Sequence, residues 1–212
     1  MTRAGAGAVA AGMRAQLADR RDRLDAGAEP LGWKIGINVP AVQERLGITE
    51  PVVGYMTSPS LVEPGGSVDV AGWTAPMLEP EVAIRVAEGG TVAALGPAIE
   101  LVDIDLPFDD IEAILAGDVF HRAVVLGEEL TDVGAAGHCR VVIDGEEAAA
   151  TPVECDVDGT VAFVAEYLER HGARLAAGEV IIAGSLTAPQ PLPPGASVEV
   201  EMGALGRVAL RT

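Results

Sequence analysis

Aromatic side chains are scarce in this sequence: three Phe, two Trp and two Tyr among 212 residues. A buried core must therefore be assembled mainly from Val, Ile, Leu and Ala. The hydrophobic share of 49% is that of a folding chain and excludes a disordered one. Positive charge is also in short supply, with 14 Lys and Arg against 32 Asp and Glu and a formal net charge of −18. That balance excludes the basic face a nucleic-acid binder needs, and docking on anionic lipid. It leaves an anionic substrate open, because a bound cation reverses the local sign. Cysteine is limited to Cys139 and Cys155, which fit no disulfide framework and no metal spacing, and read as small, partly buried side chains. No apolar run reaches the ~20 residues of a membrane span. The opening MTRAGAGAVAAGMRAQL is weakly hydrophobic and contains Arg14, so it reads as a helix start and not a signal peptide. The expected compartment is the cytoplasm.

Lysine is the rarest of the charged residues. Thirteen of the fourteen basic residues are Arg, and Lys34 stands alone in LGWKIGINVP, between Trp33 and Ile35. A chain this biased toward Arg keeps a lysine either by chance or where a guanidinium will not serve. An ammonium is compact and can lose its proton when desolvated, whereas a guanidinium is planar and stays charged.

What is present is a punctuated, β-rich texture. Residues 4–26 have the composition of a helix with Arg20, Arg21 and Arg23 on a solvated face, and 31–37 reads as a strand. Pro40 opens a short helix through Leu46. Short Val/Ile runs then alternate with Gly, Pro and Asp, the pattern of a mainly β domain. Asp144-Gly145 is the strongest hairpin turn, and SVEVEMGALGRVAL predicts a second hairpin. Two more helices are expected, at about 108–116 and about 159–176. The second has Asp158 as N-cap and a buried stripe of Val161, Val164, Ala165 and Leu168. The length suits one sizeable domain, with residues 1–30 as a helical cap on a body of 31–212.

The carboxylates of PMLEPEVAIRV raise a physical problem. On a strand, Glu79 and Glu81 share a face with Met77, Ala83 and Arg85. By itself this suits an amphipathic edge strand with a solvated face and a Pro80 that an edge tolerates. In GPAIELVDID, however, Glu100 is the lone carboxylate on a face with Ala98, Val102 and Ile104. Burying it unpaired costs several kcal/mol. Two glutamates on one strand face also repel, by about 4 kcal/mol at 4 Å and an effective dielectric of 20. A divalent cation answers both costs. Three carboxylate oxygens plus water suit Mg²⁺ or Mn²⁺. Zinc is disfavoured because His121, His138 and His171 are far from these glutamates in sequence.

With these residues in place, the chain resembles the fumarylacetoacetate hydrolase superfamily, in its 2-keto-4-pentenoate hydratase / 4-oxalocrotonate decarboxylase branch. The carrying motifs are GWKIGINVPAVQERLGITEPVVGYM, LEPEVAI, GPAIELVDID and LAAGEVIIAGSLTAPQPLPPGASVEVEMGALGRVAL, in family order from residue 31 onward. The resemblance implies an α+β, mainly β fold: a fumarylacetoacetase C-terminal-like mixed β-roll with a small N-terminal helical cap. It implies Mg²⁺ or Mn²⁺ held by Glu79, Glu81 and Glu100, with Lys34 beside them as the catalytic lysine, assisting proton transfer or binding an enolate oxygen. It implies a substrate pocket lined by Gly184, Ser185 and Thr187, within a segment that reads equally well as a strand-end turn. It also implies a homo-oligomer, association with a related pathway enzyme, and a small 2-oxo acid as substrate. The implied reaction is hydration of a 2-hydroxypenta-2,4-dienoate to a 4-hydroxy-2-oxo acid. Decarboxylation, or hydrolysis of an acylpyruvate C–C bond, is the alternative on the same enolate, and a non-catalytic binding partner is the alternative of another class. Three departures stand out. Thr57 and Ser58 occupy positions where acids are typical, the Glu81–Glu100 spacing is short, and GDVFHRAVVLG lacks the asparagine of an Asp-Asn-Ala element.

Overall fold

The computed structural model of the protein describes residues 3–131 and 137–212. Helix α1, Arg3–Asp25, leads into strand β1, Pro30–Gly36. Helix α2, Pro40–Leu46, has Pro at its first turn and ends on Gly47 at φ 69°, a left-handed closure that favours glycine. Strands β2, Val52–Thr57, and β3, Leu61–Val62, precede the long pair β4, Pro76–Val86, and β5, Val92–Asp103. Helix α3, Ile111–Ala116, is N-capped by the Asp110 side chain and leads to β6, His121–Leu126. Strands β7, His138–Ile143, and β8, Glu146–Pro152, flank Asp144-Gly145, where φ is 52° and 83°. Two successive positive φ angles are what a two-residue hairpin turn matching strand twist requires.

Helix α4 runs Val157–Arg170, with Asp156 rather than Asp158 accepting the cap bond from Gly159. It therefore begins two residues earlier than the sequence reading and ends before Gly172, whose φ is 78°. Val161, Val164 and Leu168 are buried as expected, Ala165 only partly, and Tyr167 joins the stripe. Strands β9, Val180–Ile182, β10, Gln190–Pro191, β11, Ser197–Glu201, and β12, Arg207–Arg211, complete the chain, and β11 and β12 form the second expected hairpin.

The strands form two sheets. One has the order β2-β1-β9-β4-β5-β6-β3, with β10 also paired to β4; the other is β12-β11-β7-β8. Parallel pairs (β1/β9, β3/β6) within mostly antiparallel ladders make the first sheet mixed. The α+β, mainly β architecture is thus observed. Among the described residues, no helix is long and apolar enough to cross a membrane.

Strand β4 is central, between β5 on one side and β9 and β10 on the other, so the edge-strand reading of PMLEPEVAIRV does not hold. Pro80 is tolerated there for a local reason. Its carbonyl accepts from Leu186 N–H at 2.9 Å, in the gap between β9 and β10. A strand residue's N and O point to the same side, so the missing N–H costs no bond to β5.

The two faces of the large sheet differ. One carries Trp33, Ile35, Leu78, Val82, Ile84, Ile99 and Leu101 into the main core with α1, α3 and α4. The other carries a smaller cluster of Met56, Ala83, Ala98, Val124, Val180 and Ile182. The register puts Lys34, Glu79, Glu81 and Glu100 on this second face. Helix α1 packs tightly on α3: a Cβ on Gly12 would lie 2.6 Å from Leu115 Cβ and 2.8 Å from the Glu112 carbonyl.

Candidate active site

Antiparallel pairing of β4 and β5 sets Glu79 opposite Glu100 and Glu81 opposite Ala98. Because side chains alternate, all three carboxylates emerge on one face, with ligand oxygens within 4.8 Å of one another. Glu81 and Glu100 are fully buried and Glu79 partly so. The solvated face suggested for an edge strand is absent here.

Lys34 arrives from β1, opposite Gly54 of β2. A Cβ at Gly54 would come within 2.9 Å of Lys34 Cε, so glycine there makes room for the lysine stem. The ammonium is buried, 3.1 Å from Glu100 Oε1, and donates to the Val119 carbonyl at 2.7 Å. That carbonyl is presented by an unusual backbone. Asp118, Val119 and Phe120 have φ of 57°, 52° and 67° in succession. Left-handed conformation costs roughly 1–2 kcal/mol per non-glycine residue, and a β-branched valine there is a genuine outlier. Such strain persists where surrounding structure enforces it, as at functional sites.

Two site neighbours escaped the sequence reading. His121 is distant from the glutamates in sequence, yet its Nδ1 lies 2.7 Å from Glu100 Oε1, while its Nε2 lies 3.0 Å from Ser60 Oγ. β5 and β6 are paired, bringing His121 opposite Val102. The second is Asp118, noted in the sequence only within a segment lacking an asparagine. Its Oδ1 accepts from Tyr55 N–H at 2.9 Å and Gln16 Nε2 at 3.2 Å. A lone acid in an otherwise apolar VF turn was the available signal. Thr57 is buried and Ser58 exposed, and neither lines the cavity beside Lys34.

The charges interact strongly. Burial and then Glu100 raise Glu79 to about 7. Burial, Glu100 and Glu79 together hold Glu81 well above the usual carboxylate range. Glu100 runs the other way: burial opposes its charge, but Lys34 and His121 hold it below the ordinary value. Lys34 is likewise disfavoured by burial, yet Glu100, Glu79 and Asp118 keep its ammonium charged. Glu81 Oε2 accepts from Gly184 N–H at 2.7 Å, whereas Oε1 is buried with no partner among the described residues. An orphaned buried carboxylate oxygen, among three acids that repel one another, fits a divalent cation with hard oxygen preference.

Gly184, Ser185 and Thr187 follow directly after β9, so this segment is indeed a strand-end turn. Gly184 has φ 94°, and a Cβ there would meet Asn38 Nδ2 at 2.8 Å. Ser185 and Thr187 line a cavity of ≈ 610 Å³ together with Lys34 and Glu79. Their hydroxyls donate within the turn, to the carbonyls of Thr187 and Ala188. Much of the remaining wall is apolar, including Val42, Ile104, Phe108, Phe120 and Leu186.

No family model matches the chain. It is 30% identical over 214 residues to a 4-oxalocrotonate decarboxylase of a Pseudomonas species, covering 90% of this chain and 81% of the relative. It is 29% identical over 202 residues to a 2-hydroxyhexa-2,4-dienoate hydratase of Comamonas testosteroni, covering 84% and 75%. In fold it is similar to the 4-oxalocrotonate decarboxylase of Pseudomonas putida G7 solved with magnesium and adipate. The TM-score there is 0.84 at 22% identity, over 94% of this chain and 84% of the other.

Proposed function

The chain belongs to the 2-keto-4-pentenoate hydratase / 4-oxalocrotonate decarboxylase branch of the fumarylacetoacetate hydrolase superfamily, and we propose that it is a divalent-metal-dependent hydro-lyase acting on a small 2-oxo acid. The observation that carries this reading is the cluster of Glu79, Glu81 and Glu100 beside the buried Lys34, with Glu79 and Lys34 lining a cavity. The three glutamates hold Mg²⁺ or Mn²⁺. When bound, the cation polarises the 2-oxo group and offsets enolate charge.

The protein's own groups account for the rest. Lys34 remains an ammonium in its acidic surroundings and therefore acts as a hydrogen-bond donor toward the enolate oxygen, not as a base. His121 and Lys34 fix the Glu100 carboxylate from two sides. Ser185 and Thr187 bound the substrate, and Gly184, which does not line this cavity, orients Glu81 through its N–H. The apolar wall sheds water from the hydrocarbon end. Among the described residues that line the cavity, Lys34 is the one cation, and it is committed to Glu100. A second carboxylate at the far end would thus find no counter-charge. This favours a monocarboxylic 2-hydroxy-2,4-dienoate, which gains one water in total: it ketonises, then water adds across the remaining alkene to give a 4-hydroxy-2-oxo acid. The enzyme works as a homo-oligomer in this reading.

A second reading, decarboxylation of a 2-oxo diacid, draws support from the similarity to a decarboxylase and from the same apolar wall, since a poorly solvated carboxylate is easier to lose. One assay separates the two. Metal-free protein is supplied with Mn²⁺ and either 2-hydroxypenta-2,4-dienoate or a 2-oxohexenedioate. Loss of dienoate absorbance with formation of 4-hydroxy-2-oxo acid and no CO₂ supports hydration. CO₂ release from the diacid alone replaces it with the second reading.

A further inference from the structure

A second concavity, of ≈ 450 Å³, lies away from the carboxylate cluster. It is lined by Arg14, Leu17, Arg20 and Arg21 of α1, by Trp33, and by the segment His171 to Arg174 that follows α4. On α1 the positions 14, 17 and 21 recur at helical spacing, so they share one face. In a chain with 32 carboxylates and 14 bases, four of the thirteen arginines converge here, and none of the described lining residues is acidic.

Only one of the four arginines is held in an internal ion pair among the described residues. Arg20 pairs with Glu179 at 3.0 Å and stacks on the Trp33 ring at 4.5 Å, but its Nε–H is buried without a partner. Glu179 is already saturated, because its other oxygen accepts from Trp33 Nε1 and from Ala176 N–H, both at 2.8 Å. Arg14, Arg21 and Arg174 have no carboxylate partner among the described residues. Guanidinium groups gathered around one hollow repel each other, and the one acid that relieves them, Glu179, serves Arg20 alone. Their planar forks match carboxylate and phosphate oxygens.

We propose that this hollow is a second ligand site, for a small organic polyanion carrying at least two carboxylate or phosphate groups, its carbon skeleton resting on Leu17 and Ala173. The site is independent of the carboxylate cluster: Trp33 at its floor and Lys34 beside the glutamates are adjacent on β1, and alternation sends them to opposite faces of the sheet.

The test uses the full chain, freed of metal by chelation and desalting. Thermal midpoint and calorimetric binding are measured with citrate and, separately, with inorganic pyrophosphate, against sodium chloride of equal ionic strength. The two probes separate a carboxylate site from a phosphate site. A saturable rise in midpoint with either probe is expected. It should persist in Glu81→Gln, which disables the carboxylate cluster. It should weaken at least tenfold in a triple Arg14→Gln, Arg21→Gln, Arg174→Gln variant, whose exposed positions leave folding intact as judged by circular dichroism. No saturable response beyond that of chloride overturns the proposal, as does an equal response in the arginine variant. Dissociation of an oligomer by the arginine substitutions, with anion binding unchanged, assigns the hollow to a subunit contact and overturns it as well.

Discussion

Glu79 and Glu100 face each other directly across the β4–β5 ladder, two carboxylates in a cross-strand pair with Glu81 one step further along the same face. Like charges in such a pair destabilise a sheet. Without a cation the arrangement relies on protonation of Glu79 and Glu81, whose raised pKa values reflect burial and mutual repulsion.

Glu81→Gln therefore separates function from stability. We expect Mn²⁺ affinity to fall by at least about 100-fold, beyond what loss of an outer hydrogen-bond partner produces. The metal-free variant should melt higher than metal-free wild type at pH 8, because a buried repelling charge is gone. Titration calorimetry and a thermal scan in chelator check both. Unchanged metal affinity removes Glu81 from the ligand set.

Lys34→Met leaves Glu100 buried with His121 as its remaining side-chain partner. Breaking one side of a buried pair should cost about 3 kcal/mol and abolish turnover. Lys34→Arg should fail too, because Gly54 leaves room for a narrow stem only and overpacking costs a further 1–3 kcal/mol, roughly. Turnover within tenfold of wild type in either variant rules out a catalytic Lys34.

His121→Ala tests the histidine that sequence distance hid. It removes the 2.7 Å contact that orients Glu100, and a 10- to 100-fold loss of Mn²⁺ affinity, roughly, is expected from losing an outer partner of a ligand. His121→Gln, which keeps a polar group near Glu100, should recover part of it. Equal affinity in all three proteins means that His121 only packs.

Asp118 gives a signed pH dependence. Burial raises it from 3.8 to about 7, with His121, the Tyr55 N–H and Lys34 offsetting only part of that. The folded state thus holds this proton more tightly than the unfolded chain. Its stabilising contribution is complete below about pH 4 and is lost as pH rises through about 7. Between pH 5 and 9 the loss is about 3 kcal/mol for this group. Asp118→Asn keeps an oxygen for the Tyr55 N–H and should reduce the slope of stability against pH. Equal slopes in chemical denaturation of metal-free protein contradict the assignment.

Gly12→Leu should unseat α1 from α3, since even a Cβ there approaches the α3 backbone too closely. A loss of several kcal/mol is expected. A midpoint within 2 °C of wild type, roughly, would show that α1 does not pack as described.

Local chemistry made much of this protein legible from sequence. Pro40 and Gly47 bound α2, Asp144-Gly145 makes its hairpin, and period-two alternation put Glu79 and Glu81 on one face, because each of these is decided within a few residues. The lone lysine and the lone glutamate of an apolar face pointed to a site, since an uncompensated buried charge requires a partner wherever it falls. Three features depended on tertiary structure. The partners of β4 decided that Pro80 sits in a central strand, because only the gap between β9 and β10 spares it a hydrogen bond. The pairing of β5 with β6 brought His121 onto Glu100, a contact that no spacing encodes. The strained turn at Asp118, Val119 and Phe120 exists because the packed sheet enforces a backbone those residues would not choose alone, and with it the Val119 carbonyl reaches Lys34.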